Sequence, residues 1–546
     1  MTENKQPIYI LPENIQRVIG RDAQRNNILA ARLVAETVKT TLGPKGMDKM
    51  LVDSIGDITV TNDGVTILEQ MEIEHPAAKM MVEIARTQED EIGDGTTTAV
   101  ILAGKLLENA EKLLDERIHP TVIVRGYNLA AQKAKEISRE IAIKITPNEK
   151  DLLKKIASTA MTGRGAEVSK DSLAEIIVNS VLQVMEKNEN IIEIDKDNIK
   201  IEKRKGSGIE DTELIKGIVI DKSRVNTDMP SQVRNAKIAL LDVALELKTL
   251  EGNATIQITS PEQFQAFLDQ EEKAIQNMVE KIKKSGTNIV ICQKGIDDVA
   301  QYYLTKAKIY AIRRVKKSDM EKLAKATSGK IVSNINELNE NDLGKASLVK
   351  EIKEGNDEGM TYVTGCDNPK AITILVRGGT EHVIDELERA IRDGIGDVAS
   401  SLELGYIVAG GGAFEIELLS KLKRFATTVK GREQLAINAF ADSLESIPRT
   451  LSENAGLDSI DVLTELKTRH EKGETKAGLN LSNDGVIGIC NTLEAGIVEP
   501  LEIKIQALKS ASEVATMILR IDDVIASGKS GSLPSGTQGM EMSGMD

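Results

Sequence analysis

The chain changes texture along its length. Residues 22 to 41, 80 to 85 and 96 to 114 carry apolar side chains at helical spacing, whereas the stretch from about 220 to 368 alternates short aliphatic runs with polar helical segments. Helical patterns return after Gly412 and dominate to about Ser527. One hydrophobic core cannot serve both textures, and 546 residues at roughly 100–200 per domain make about three or four domains. Aromatic residues are 2% of the chain and Trp is absent, so the cores must be built from Ile, Leu, Val, Ala and Met. The same scarcity argues against base-stacking platforms and carbohydrate grooves. Lys and Arg number 70 against 85 Asp and Glu, a formal net charge of −15, the wrong sign for a general nucleic-acid or anionic-membrane binder.

Cys292, Cys366 and Cys490 form no CxxC pair, so neither a disulfide framework nor a zinc knuckle is expected, and the reducing cytoplasm is the expected compartment. The opening MTENKQPIYILPEN lacks a signal-peptide core, and no apolar run reaches the ~18 residues needed to cross a bilayer. Of the four histidines, His75 and His119 precede proline, a context of element boundaries rather than metal ligands.

The first helix, Asp22 to Thr41, stops at the turn Leu42-Gly43-Pro44-Lys45-Gly46. Met50-Leu51-Val52 and Ile58-Thr59-Val60 read as a hairpin leading into Thr61-Asn62-Asp63-Gly64, with Asp63 in a tight turn. The loop Gly93-Asp94-Gly95 opens directly onto a helix from Thr96 through Leu114. In the middle region, strands are expected at Ile238–Leu241, Asn288–Ile291 and Ile309–Ile312. Capping boxes at Ser318-Asp319-Met320-Glu321 and Ser260-Pro261-Glu262-Gln263 start helices there, the second after a turn at Glu251-Gly252-Asn253 and carrying Phe264, Phe267, Leu268, Ile275, Met278, Val279 and Ile282. A strand from Ala371 to Val376 precedes a helix from Thr380 to about Asp393, and Gly410-Gly411-Gly412 opens another helix. The segment after about Ser527 is low-complexity and expected to be disordered.

No Walker A loop and no strand-to-helix GxGxxG is present. Three glycine-bearing loops nevertheless border helices, and helix N-termini favour phosphate. In Gly93-Asp94-Gly95-Thr96-Thr97-Thr98 the glycines allow close backbone approach, the hydroxyls add donors, and the Asp94 carboxylate can hold a Mg²⁺ that bridges phosphate oxygens. A capped helix start with no ligand accounts for the same residues equally well. The cluster Arg313, Arg314, Lys316 and Lys317 reads as a solvated patch beside a strand.

Five ordered motifs, Leu42 to Lys49, Thr61 to Thr66, Gly93 to Thr98, Cys292 to Asp298 and Arg313 to Met320, resemble the archaeal group II chaperonin family, with similarity from about residue 8 to about 527. The resemblance implies a multidomain α and α/β chain of chaperonin fold. Its discontinuous helical equatorial ATP-binding domain would be 1–151 and 409–546, its intermediate hinge domain 152–221 and 369–408, and its apical α/β domain 222–368, with a helical lid protrusion at about 249–283. It implies ATP contacts at Thr41, Leu42, Gly43, Pro44, Asp63, Gly95, Thr96, Thr97, Thr98 and Gly411, adenosine contacts at Asn480 and Glu499, and Mg²⁺ at Asp94. Asp393 matches the carboxylate that positions the attacking water, with Asp63 as its catalytic companion, and Arg164 falls where the family's nucleotide-sensing loop often carries Lys. Asp393 lies far from Asp94 in sequence, so hydrolysis would need domain closure to deliver it.

The implied function is an ATP-dependent chaperone of two stacked rings, homo- or hetero-oligomeric, that encloses non-native client proteins in the cytoplasm, with no nucleic acid and no membrane as partner. The alternatives are a metabolic ATP-dependent enzyme, which would need an acceptor pocket with acid/base residues, and an ATP-binding assembly scaffold without turnover.

Overall fold

The computed structural model describes residues 15–163, 169–188, 191–246, 261–353, 359–367, 369–481 and 487–527. Arg164, the Glu251–Asn253 turn, the Ser260 cap and the segment after Ser527 lie outside the described residues.

A helical core takes residues from both ends of the chain. Helices Gly20–Lys39, Pro76–Glu91, Thr96–Asp115 and Pro120–Ile141 pack with Ala413–Ala426, Glu433–Ser443 and Leu501–Leu519. Its filling is aliphatic, with Ile28, Val38, Met81, Leu107, Ile123 and Ile518 at 1% exposure or less. The rings of Tyr127 and Phe440 meet edge to face at 5.7 Å, and the Tyr127 hydroxyl donates to the Leu106 carbonyl at 2.7 Å. His75 and His119 cap the two proline-led helices, each ring Nδ1 accepting a backbone N–H, from Ala77 and Thr121.

A second core joins helices Lys150–Ala160, Lys170–Val184 and Glu381–Leu404 to a three-stranded sheet. In that sheet Ile372–Gly378 lies between Ile199–Lys205, parallel, and Glu213–Ile215, antiparallel. The third body is a mixed sheet. Its strands run in the order Tyr310–Ile312, Ile289–Cys292, Gln232–Leu241, Gly344–Ile352, Met360–Thr364, Gly217–Ile220, and Ile331–Val332 also pairs with Gln232–Leu241. Alternate side chains serve opposite faces. Ile238, Leu240, Ile289 and Ile291 meet helix Lys317–Thr327, while Ala239, Leu241, Val290 and Cys292 meet helices Pro261–Lys284 and Asp298–Lys306. Burial on both faces explains why these strands read as continuous aliphatic runs.

The hairpin forms as expected, Val52 opposite Ile58, and three element assignments change. The helix expected to end near Asp393 runs on to Leu404 and stops at Gly405, φ +74°. The helix expected to start at Ser318 begins at Lys317 with no side-chain cap, because its N-cap residue is Lys316, whose ammonium has no acceptor to offer the first-turn N–H groups. The region before Ser527 is not helical to its end: Asp523–Ser527 is a strand antiparallel to Ile15–Ile19.

Helix Pro261–Lys284 divides along its length. Ile275, Val279 and Ile282 are packed in the core of the mixed sheet, at 2%, 4% and 0% exposure, whereas the side chains described between Pro261 and Lys273 are exposed or half-buried. Ile282→Ala is therefore expected to cost the mixed-sheet body about 2–5 kcal/mol, while Phe267→Ala, at a half-buried position, shifts it by under ~1 kcal/mol. Hydrogen exchange of the Ile289–Cys292 amides in the full chain reads both. Equal protection in the two variants would show that the second half of the helix contributes nothing to that core.

Candidate functional site

The Thr40–Thr41 turn that ends the first helix bends sharply. Gly43 adopts φ +83° with Leu451 pressed where a Cβ would sit, and Asn454 donates to the Leu42 carbonyl at 2.9 Å from the other end of the chain. Asp63 caps helix Gly64–Gln70 through Oδ2, which accepts from the Thr66 N–H at 2.9 Å and the Thr66 hydroxyl at 2.7 Å. A Cβ on Gly64 would lie 2.6 Å from Thr97 Oγ1, so this cap stands directly against the start of helix Thr96–Asp115. Gly95 caps that helix at φ +80°, hard against Ile503 Cγ2, and Gln88 Nε2 holds the Asp94 carbonyl at 2.8 Å. Gly412, φ +82°, caps helix Ala413–Ala426, and the Gly411 carbonyl accepts the Leu479 N–H at 2.8 Å. Two helix N-termini and one Asp cap thus converge.

They enclose a cavity of about 910 Å³. It is lined by Thr41, Leu42, Gly43, Pro44, Asp63, Asp94, Gly95, Thr96, Thr97, Thr98, Gly411, Asn480 and Glu499, all singled out from sequence. Helix geometry leaves the first-turn N–H groups at Thr96–Thr98 without intrahelical acceptors, which suits anionic oxygens. The wall is nonetheless acidic, with carboxylates at Asp63, Asp94, Asp171, Glu210, Asp397 and Glu499 against ammonium groups at Lys170 and Lys504. A polyphosphate fits such a lining only together with cations. No group of three or more His, Cys, Asp or Glu capable of holding a metal is found among the described residues. A Mg²⁺ bound by one carboxylate, with phosphate oxygens and water completing its shell, needs no such group, and Asp94 at the loop before the helix could supply the carboxylate.

Lys504 is one of the charged cavity residues that sequence reasoning missed, with Lys170, Asp171, Glu210 and Asp397. Its ammonium, 5% exposed, pairs with Glu415 Oε1 at 2.9 Å and with Glu499. Burial alone would pull the Lys504 pKa down, but the two flanking carboxylates outweigh it and hold it above the usual lysine range. Burial pushes the Glu499 carboxyl up against the opposing pull of Lys504, and Glu415 and the nearby Asp94 add to the rise. Nothing local in the sequence marks Lys504, which sits in an aliphatic helix, and its partner Glu415 is 89 residues away.

Asp393 is not among the residues that line this cavity. It lines a neighbouring one of about 850 Å³ with Glu89, Gly93, Lys200, Lys316 and Arg392. The two cavities flank the Gly93-Asp94 step: Gly93 faces the second, Asp94 the first. From the same helix, Asp397 lines the first cavity, at 3% exposure. Arg164 lies outside the described residues. The three cysteines are unpaired, with Cys292 buried, and no described helix is long and apolar enough to cross a membrane.

The TCP-1/cpn60 chaperonin family matches residues 34–529. A thermosome subunit of Methanopyrus kandleri is 61% identical over 519 residues, 95% of this chain and 94% of that one. In Archaeoglobus fulgidus a thermosome beta subunit is 59% identical and an alpha subunit 56%, each covering 95% of both chains. Among solved structures, the open-state monomer of a group II chaperonin from Methanococcoides burtonii superposes with a TM-score of 0.60 at 46% identity, over 79% of this chain and all of that one. Near-full-length identity above half, the three-core architecture and the matched family together make this chain a member of the TCP-1/cpn60 chaperonin family, of the group II type.

Proposed function

We propose that the chain binds MgATP in the 910 Å³ cavity and that ATP hydrolysis there drives enclosure of non-native proteins. The observation that carries this reading is the cavity's composition: glycine-capped helix N-termini, threonine hydroxyls and the Asp94 carboxylate, contributed from both ends of the chain, form one acidic pocket suited to a cation-bound polyphosphate. Asp94 would hold Mg²⁺, which when bound neutralises phosphate charge. The backbone at Thr41–Pro44, Gly95–Thr98 and Gly411 would hold the phosphates and Asn480 and Glu499 the nucleoside, with Asp63 fixing the loop beside Thr97. In this reading Arg164 senses the nucleotide. Asp393 would reach the site when the helix Glu381–Leu404 swings with its hinge body, since in this structure it faces the neighbouring cavity.

The three cores support the division into an equatorial body at 1–151 and 409–546, a hinge at 152–221 and 369–408, and an apical body at 222–368. The exposed first half of helix Pro261–Lys284 supports a lid drawn from residues before about 273, shorter than the 249–283 expected from sequence. The occurrence of alpha and beta thermosome subunits in one organism supports rings shared with paralogous copies. Unpaired thiols fit a cytoplasmic setting.

ATP turnover by the purified chain, stimulated by an unfolded protein, separates this reading from a scaffold, which would bind without turnover, and from a metabolic enzyme, which would ignore the client. Asp393→Ala is expected to keep ATP binding and to slow hydrolysis by ~10²–10⁴-fold, whereas Asp94→Ala weakens productive binding and shifts the Mg²⁺ requirement upward. Equal effects on binding and turnover in both variants would overturn the division of roles. Replacing residues 249–272 by a short linker should leave assembly and ATP turnover intact while removing protease protection of an enclosed client. Undiminished protection would show that closure uses other residues.

A further inference from the structure

Helix Glu381–Leu404 carries two carboxylates one turn apart, Asp393 and Asp397, at 6% and 3% exposure. At 1.5 Å rise per residue they stand about 6 Å apart along one helix face, yet they line different cavities. Two glycines let this helix pack closely on two sides. A Cβ at Gly394 would lie 2.7 Å from Ile177 Cδ1, and one at Gly396 would lie 3.1 Å from the Ile92 carbonyl oxygen. An interior glycine weakens a helix relative to alanine. Gly396 lays the Asp393–Asp397 turn against Ile92, next to Gly93-Asp94, while Gly394 lets the same turn close on helix Lys170–Val184, and Asp397 comes to the side of the polyphosphate pocket. Burying a carboxylate is expensive, and here it is done inside a pocket that already holds more acids than bases.

We propose that Asp397 is a further catalytic residue of the hydrolytic site, a carboxylate that accepts the proton of the attacking water. This rests on the cavity being the nucleotide site. The water oxygen forms the new bond to the γ-phosphorus while the bond from that phosphorus to the β–γ bridging oxygen breaks. ADP leaves with the electron pair, and the water proton passes to Asp397 and from there to solvent. Asp397 faces the pocket without any movement of the hinge body, so water can be held before closure, with Asp393 arriving from the next turn of the same helix.

The test is single-turnover and steady-state ATP hydrolysis by assembled full-length Asp397→Asn and Asp397→Glu, with nucleotide binding measured alongside. The expected result is a fall in kcat of at least tenfold for Asp397→Asn, a KM for ATP within about threefold of the parent, and substantial recovery in Asp397→Glu. A kcat within twofold of the parent for Asp397→Asn would overturn the proposal. So would equal losses in both variants accompanied by lost assembly, which mark a packing role. A parent chain that binds no ATP would instead overturn the nucleotide reading itself, an outcome distinct from either.

Discussion

The packing of helix Thr96–Asp115 is the interaction on which the rest of the structure depends. Its flanks are buried against Gly20–Lys39 from the start of the chain and Leu501–Leu519 from its end, with Ala99, Val100, Ala103 and Leu107 at 0% exposure. Small residues make that closeness tolerable: a Cβ on Gly104 would lie 2.5 Å from the Ala35 Cβ. Because the helix is clamped along its length, its N-terminus and the Gly93–Gly95 loop are fixed in space, and every other wall of the 910 Å³ cavity is placed relative to them. The site is a seam between distant parts of the sequence, so forming it requires the whole helical core.

The second core meets the mixed-sheet body through a different kind of contact. Lys200, in the three-stranded sheet of the second core, reaches Asp319 of the mixed-sheet body at 2.9 Å and Glu202 at 2.8 Å, and Lys325 bonds Asp195 and Asn198. The apolar patch shared by the two bodies is small, centred on Leu375, Val219 and Tyr362. Polar, modest junctions of this kind make relative motion the default. The tight approach of Gly396 to the Ile92 carbonyl links helix Glu381–Leu404 to the Asp94 loop, so a change at the Thr96 end of the cavity has a short mechanical path to the second core.

Local signals were legible in the sequence because their physics is local. Gly43, Gly95 and Gly412 sit at positive φ where a turn or cap demands it, and His75 and His119 stand at helix starts, the element boundaries their prolines foretold. Alternating burial explains the aliphatic strands. What stayed hidden depended on distance or on glycine used against its propensity. The continuation of Glu381–Leu404 past Asp393 passes through Gly394 and Gly396, which favour a helix only where a neighbour presses close. Asp397 looks like a solvated helix acid until that pressure buries it, and Lys504 acquires its partners only when Ala413–Ala426 and Leu501–Leu519 pack together. The pairing of Ile15–Ile19 with Asp523–Ser527 spans nearly the whole chain.

The central claim is that this seam holds a cation-bound triphosphate. The most direct measurement is a density map of the full chain with Mg²⁺ and a non-hydrolysable ATP analogue. The account predicts phosphates against the Gly95–Thr98 helix start and Gly411, with the metal at Asp94. Nucleotide density in the neighbouring cavity beside Lys200 and Arg392, or a metal bound away from Asp94, would contradict it.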